Sequence, residues 1–388
     1  MPIKRLTLKK ILSFNDTTVE LGPLNVLIGP NAVGKSNLIE AISLLQAAPT
    51  GIEGQILRGG GARQWLWLGR EPGPSAEVEC VLTYPSQPRS GLLLYRLAFW
   101  DGPGFEILHE RLMDGDSEPD GPTYFVRRSK SVQLGAPALE LARAQAAATT
   151  MPSNESVFAR LKSPADTTPI TEVGGYFEQI KIFREFRTGP ASLARSGIST
   201  SVPKEFLWEG ADNLALVLHE LDFLGTHDRI REYLKRFCER FEDVKVRVGE
   251  GLARTFLKET GLSDMLSGVR MSDGTLKFLC LLAVLFHPKP APLVCIEEPD
   301  LGMHPDALRL VAEVLVEAAE RTQVIITTHS EALVDALSGR PESVLVCERD
   351  FDNGTQFKRL AADELDEWLE HYTLGELWRK GEIGGGRS

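Results

Sequence analysis

The stretch Gly29-Pro30-Asn31-Ala32-Val33-Gly34-Lys35-Ser36, followed by Asn37, constrains this chain more than any other. Its spacing is G-x-x-x-x-G-K-S. It follows an apolar run, Leu24–Ile28, that reads as a buried strand. It opens a helical pattern over 37–46 with Leu38, Ile39, Ile42 and Leu45 on one face. Strand, glycine loop and helix are the context in which this spacing cradles phosphate. The glycines let backbone N–H groups curl around phosphate oxygens, and the helix N-terminus adds the positive end of its dipole. Lys35 is placed to reach the β- and γ-phosphates, and the Ser36 hydroxyl to ligate Mg²⁺. An ordinary glycine turn before a helix is the alternative, and the flanking strand and helix decide against it.

The rest of the chain must supply a sheet for that loop. Residues 3–11 set Ile3, Leu6, Leu8 and Ile11 against Lys4, Arg5, Lys9 and Lys10, which predicts a half-buried strand. Residues 17–21 read as its hairpin partner. Residues 51–121 read as strands and turns, with strands at 76–84, 92–100 and 105–112 and a polar turn at 114–122. A further hairpin is expected at 124–128 and 131–134, an alanine-rich helix at 138–148, and a short helix near 157–161. Residues 176–186 read as a strand entering a loop, 188–204, rich in Gly, Ser and Pro, of a kind that carries mobility or function. Helices are expected at 213–223 and 228–241, and a strand at 244–248.

After Gly268 the pattern alternates. An apolar helix is expected at 274–286, strands at 292–296, 323–328 and 343–347, and helices at 306–320 and 330–337. Residues 356–360 are expected to pair with a neighbouring strand. Alternation implies a parallel sheet, which the phosphate-loop strand joins from the other end of the chain. No repeat or sustained heptad announces a coiled-coil arm.

At 388 residues, 43% hydrophobic and 25% charged, the chain has ample core for one large or two ordinary domains. A formal net charge of −11 argues against strong non-specific binding of the whole chain to a polyanion. Five scattered cysteines, mostly in apolar runs, point to reduced thiols and a cytoplasmic protein. The N-terminus alternates like a strand and has no signal-peptide core. The longest apolar run, 278–286, is far short of the roughly 20 residues a membrane span needs, so no membrane is expected.

Three further motifs carry chemistry. The apolar strand Leu293-Val294-Cys295-Ile296 ends in Glu297-Glu298-Pro299. Such a strand delivers its carboxylates at the edge where α/β sheets bind ligands. Glu297 would lie near the Mg²⁺ and its waters, and Glu298 could polarise a water for in-line attack. Thr327-Thr328-His329-Ser330 ends the next strand, where His329 could bond a γ-phosphate and sense its loss. Ser272-Asp273-Gly274-Thr275 precedes the buried helix, and Ser272 and Gly274 form a second possible phosphate cradle. One chain needs only one such cradle, so the second suggests a partner subunit's nucleotide. Ser272 also suits a helix N-cap, a role that holds either way.

In this order the four motifs resemble the ATP-binding-cassette ATPase head of the soluble kind, as in the SMC, RecF and OLD-like families. The style is that of compact bacterial ABC-class AAA ATPases. The phrases Glu297-Glu298-Pro299-Asp300-Leu301-Gly302-Met303-His304-Pro305, Glu209-Gly210-Ala211-Asp212-Asn213-Leu214 and Leu374-Gly375-Glu376-Leu377-Trp378 are similar to stretches of those proteins. The resemblance implies an α/β fold: a P-loop NTPase head with a mixed and parallel sheet and an N-terminal antiparallel β-subdomain. The head would be one unit, 1–388. Its nucleotide-binding core would come from 1–50 and 265–350, with an inserted β-rich and helical lobe at 51–264 and a tail at 351–388 packed on the head.

It further implies two heads sandwiching two ATP molecules with Mg²⁺. Each ATP would sit between Gly29–Asn37 of one head and the Ser272 signature of the other. Lys35 and Glu298 would be catalytic, with Glu298 the base; His329 would be the switch histidine; Ser36 and Glu297 would serve the metal. Three departures stand out. Glu297 replaces the usual Walker B Asp, Asp273 the first Gly of the signature, and His304 the D-loop Asp. Gln64 and Gln179 are the candidates for a Q-loop glutamine.

The expected function is Mg²⁺-dependent ATP hydrolysis by a homodimer that forms on ATP binding. It would serve DNA maintenance or anti-phage defence, acting on DNA or driving a separate effector nuclease encoded nearby. The alternative is an ATP-gated scaffold that binds a protein partner without touching DNA. A transporter subunit is disfavoured by the 51–268 insertion and the missing D-loop Asp. The acids of Cys347-Glu348-Arg349-Asp350-Phe351-Asp352 crowd into one turn, which favours a plain acidic loop over a built-in nuclease. The basic clusters 127–130, 181–187 and 229–240 read as solvated faces before nucleic-acid contacts.

Overall fold

The computed structural model describes residues 1–70, 72–84, 91–116, 122–135, 150–161 and 168–384. The expected helix at 138–148 lies outside the described residues, as does part of the 114–122 turn. In chain order the strands are β1 (Ile3–Ile11), β2 (Phe14–Glu20), β3 (Leu24–Ile28), β4 (Ser75–Thr83), β5 (Leu92–Asp101), β6 (Phe105–Asp114), β7 (Thr123–Arg128) and β8 (Ser131–Leu134). They continue with β9 (Lys181–Phe183), β10 (Ile198–Ser199), β11 (Phe241–Gly249), β12 (Leu252–Glu259), β13 (Leu266–Ser267), β14 (Leu293–Glu297), β15 (Gln323–Thr327), β16 (Val344–Asp350) and β17 (Gly354–Arg359).

Thirteen of these form one sheet, in the order β8-β7-β6-β5-β4-β1-β2-β17-β16-β3-β15-β14-β9. The last five, from β16 to β9, run parallel, and the rest pair antiparallel. Parallel strands covered on both faces must be apolar throughout. Alternate residues of β3, β14 and β15 accordingly enter two separate cores. Leu27, Cys295 and Ile325 join one with the helix Lys35–Ala47. Val26, Ile296 and Ile326 join the other with the helices Asp273–Leu285 and Pro305–Ala318. Each fully buried Leu or Ile adds about 1.5–3 kcal/mol. A small second sheet holds β10, β11, β12 and β13.

The fold is the mixed α/β sheet expected. Strands β4 to β8 of the 51–264 stretch, however, form no sheet of their own. β4 pairs with β1 along its length, so the antiparallel wing is continuous with the nucleotide-side strands. A bulge between Ile3 and Arg5 keeps Ile3 and Leu6 on one buried face despite their odd spacing.

Two local expectations are corrected. Residues 51–58 were expected as strand or turn, but Ile52–Arg58 is a helix, with Ile52 and Ile56 buried one turn apart. Residues 176–186 were expected as one strand, but Pro169–Glu178 is a helix and only Lys181–Phe183 is strand. Tyr176 and Phe177 look strand-like in isolation. Pro169 at the first helical turn and buried Ile170, Val173 and Phe177 at helical spacing prevail. Among the described residues no helix is long and apolar enough to cross a membrane.

Candidate active site

The phosphate loop is shaped by close approaches that only glycine permits. Gly29 has φ +144, and a Cβ there would fall 2.5 Å from the Cys347 carbonyl oxygen; Gly34 has φ +111, and a Cβ there would fall 2.2 Å from Thr355 Oγ1. The helix Lys35–Ala47 begins at Gly34 with no side-chain cap and no acid in its first turn. Its first N–H groups are therefore unclaimed by side chains and suit an anion. Lys35 is buried, and Nζ donates to the carbonyls of Gly29 and Pro30 at 2.8 Å each. Burial lowers its pKa, while Cys347 and Glu298 act to raise it.

The carboxyl ends of β3, β15 and β14 bring the other sequence candidates to the same edge. Ser36 Oγ donates to Glu297 Oε2 at 2.5 Å. Two hard oxygen donors in contact beside a phosphate loop fit a small oxygen-preferring dication. Glu297 lies opposite Thr327 in the parallel pairing of β14 with β15. Glu298 follows with φ +47, in the left-handed region, and its amide donates to the Thr327 carbonyl at 3.0 Å. A non-glycine residue there costs about 1–2 kcal/mol, a strain typical of functional positions. Oε1 of Glu298 is 3.9 Å from His329 Nε2. Asp300, two residues on, has its carboxyl raised by burial and a side-chain oxygen without a partner.

Ser272 and Gly274 are placed apart from this cluster's hydrogen bonds. Ser272 caps the helix Asp273–Leu285, its Oγ accepting from the Thr275 amide at 3.1 Å. A Cβ on Gly274 would lie 3.0 Å from the Gly302 carbonyl oxygen. The turn before this helix is held by Arg195, which donates to the carbonyls of Gly268 and Met271 and to the Asp273 carboxylate. Arg195 is buried and comes from the 188–204 loop, which is thereby tied to the signature turn. His304 caps the helix Pro305–Ala318, with Nδ1 accepting from the Asp306 amide at 3.3 Å.

The structure adds to the site a residue that the sequence motifs do not include. β9 pairs with β14 in parallel, Phe183 opposite Ile296, so the next residue, Arg184, emerges beside Glu297. Arg184 donates to Glu297 Oε1 at 3.2 Å and to the Glu40 carboxylate, and lies 3.8 Å from Glu209. Neither Q-loop candidate is found there. Gln64 is exposed on a short helix, and the Gln179 amide donates to the Gly175 carbonyl at 2.9 Å. The signal available in the sequence was an apolar strand ending in a charge, Ile182-Phe183-Arg184, the same pattern that marked Glu297.

The other basic clusters also meet acids. Arg187 pairs with Asp212, and Arg229 and Arg236 with Glu317 and Glu313 on the helix Pro305–Ala318. The Asp350 carboxylate closes the β16–β17 turn, accepting from the amide of Asp352 at 2.8 Å and from that of Asn353 at 2.5 Å.

Comparison with known proteins gives a family match over residues 24–335, to the family described as "AAA domain, putative AbiEii toxin, Type IV TA system". Among solved structures, the chain is similar to an Smc head bound to the C-terminal winged-helix domain of ScpA. That match has a TM-score of 0.57 at 15% identity and covers 94% of this chain and 99% of that one. It is also similar to the Smc head with an extended coiled coil bound to the C-terminal domain of ScpA from Pyrococcus furiosus. There the TM-score is 0.53 at 16% identity, covering 95% of this chain and 98% of that one. At these identities the likeness is one of fold.

Proposed function

This chain belongs to the AbiEii-type AAA-domain family, and from that premise we propose that it hydrolyses ATP with Mg²⁺ between two copies of itself. The observation that carries the reading is the strand-end cluster. Lys35 lies folded against the phosphate loop, Ser36 contacts Glu297, and Glu298 and His329 follow on the adjacent strand ends. Lys35 would exchange the Gly29 and Pro30 carbonyls for phosphate oxygens. Ser36 and Glu297 would hold the Mg²⁺, which when bound offsets the charge developing on the phosphates. Glu298 would take the proton of the attacking water, and His329 would bond the terminal phosphate.

Ser272 and Gly274, with no hydrogen bond to their own phosphate loop, would cap the nucleotide of a second copy. Both pairs of sites would then be completed at once, so ATP closes the dimer and hydrolysis opens it. The domain division proposed with this reading keeps 1–50 and 265–350 as the nucleotide-binding core and 351–388 as a tail on the head.

Two experiments test the catalytic part. Glu298→Gln should still bind ATP and dimerise, with turnover lowered at least 100-fold, roughly the loss of a general base. Unchanged turnover would remove Glu298 from that role. Lys35→Ala should lose nucleotide binding.

The cellular reading is defence or DNA maintenance, with a separate effector nuclease as the output; the toxin named in the family's description supports defence. A second reading, the ATP-gated protein scaffold, is favoured by one observation. Arg184, Arg187, Arg229 and Arg236 are engaged by acids of the same chain. ATP-dependent, salt-sensitive retention of duplex DNA separates the two, since only the first predicts it.

A further inference from the structure

Asp273 stands where the ATPase heads that this chain resembles carry the first glycine of the signature. It is the first residue of the helix Asp273–Leu285, between the capping Ser272 and Gly274, and its side chain is 57% exposed. In a lone head a carboxylate suits a helix N-terminus. For a surface that must meet the phosphate of a second copy it is the wrong charge, set among the N–H groups that would face that anion.

Arg195 offsets that charge from behind. Its side chain is 8% exposed, and Nη2 donates to the Asp273 carboxylate. Nη1 donates to the carbonyls of Gly268 at 3.2 Å and Met271 at 2.5 Å, and Nε to that of Thr188 at 2.5 Å. One planar fork therefore spans the turn from Gly268 to Asp273, which a single ammonium could not do. A Cβ on Gly268 would lie 2.8 Å from the Arg195 carbonyl oxygen, so the loop backbone packs directly on the turn. Just beyond, Ile198 pairs with Ala253 of β12 and anchors the loop to the small sheet.

We propose that Arg195 is a positioning residue for association of two copies. It neutralises Asp273 and sets Ser272 and Gly274 so that this helix start accepts the terminal phosphate held by the other copy. The inference rests on the two-copy reading above and adds the 188–204 loop to the shared site. The hydrogen bonds of Arg195 go to 188 and 268–273. They do not reach 29–37, so the affinity of a single head for ATP is independent of this residue.

The test is sedimentation of the full chain with Mg²⁺ and a non-hydrolysable ATP analogue, alongside analogue affinity measured at protein concentrations too low for association. Arg195→Gln should weaken association by about tenfold or more, because the Asp273 charge is then uncompensated. Arg195→Lys, which keeps the charge, should stay within about threefold of the parent. Adding Asp273→Asn to Arg195→Gln should restore association, a rescue that a purely structural role would not give. Analogue affinity of the single head should be the same in all. Association of Arg195→Gln equal to the parent, no rescue by Asp273→Asn, or loss of single-head affinity overturns the role of Arg195 alone. Failure of the unmodified chain to associate overturns the two-copy reading and this role with it.

Discussion

The thirteen-stranded sheet carries an arginine paired with acid near each end, and the two clusters differ in their access to water. In the antiparallel wing Glu110 and Arg127 are both 0% exposed. Glu110 accepts from the hydroxyls of Tyr95 at 3.0 Å and Ser156 at 2.5 Å, and from the Val157 amide at 2.9 Å. Arg127 donates to the carbonyls of Ser129, Pro152 and Glu155 and lies 3.8 Å from Glu110. Burial pushes the Glu110 carboxyl up and the Arg127 guanidinium down, and their partners act against both shifts. At the parallel end Arg184 is 36% exposed, with three acids around it. A fully satisfied, dry cluster fixes one arrangement; it fastens residues 150–157 to the wing. A wet one can exchange partners at little cost, which a site that binds and releases charged ligands requires.

The sharpest break of this comparison is Arg127→Met. It strands the Glu110 charge and several carbonyls in a dry interior, and should cost about 3–5 kcal/mol in urea unfolding. ATP affinity of the folded fraction should not change.

Arg184→Met should do the reverse. Stability should fall by less than about 1 kcal/mol, as for other half-exposed pairs, because water screens what is lost. ATP turnover should drop tenfold or more, since Glu297 loses the group on its second oxygen. Unfolding of Arg184→Met comparable to that of Arg127→Met would erase the distinction.

The smallest effect concerns Asp300, whose carboxyl is raised by burial. A raised acid contributes stability below its unfolded pKa and loses it as pH rises through the folded value. Asp300→Asn, neutral at every pH, should therefore match the parent in strong acid and become slightly the more stable as pH rises to neutrality. Chemical unfolding at a series of pH values checks this.

Much of the site was legible because its chemistry follows local rules. The spacing from Gly29 to Ser36, and carboxylates or His329 placed directly after apolar strands, need no tertiary knowledge. Arg184 and Arg195 were not legible as site residues. Their partners lie far along the chain, Glu297 for one and Met271 and Asp273 for the other; the short run Ile182-Phe183 before Arg184 is the one local signal, and nothing local distinguishes Arg195 from a surface arginine. The fold class could be read from alternation of strands and helices. The continuity of wing and core could not, because the pairing of β1 with β4 bridges residues that only the sheet brings together. The helix Pro169–Glu178 is masked in the sequence because Tyr176 and Phe177 look strand-like beside its helical period.

β3 sits between β15 and β16, two strands that begin about three hundred residues later. Gly34 also packs against Thr355, whose hydroxyl donates to the Val33 carbonyl at 2.5 Å. During synthesis the phosphate loop therefore leaves the ribosome about three hundred residues before its neighbouring strands do. Until β15 and β16 have emerged, β3 is an apolar strand with open edges, exposed to wrong pairing. A truncated product lacking the last strands would carry the whole glycine motif and still have no formed cradle for phosphate.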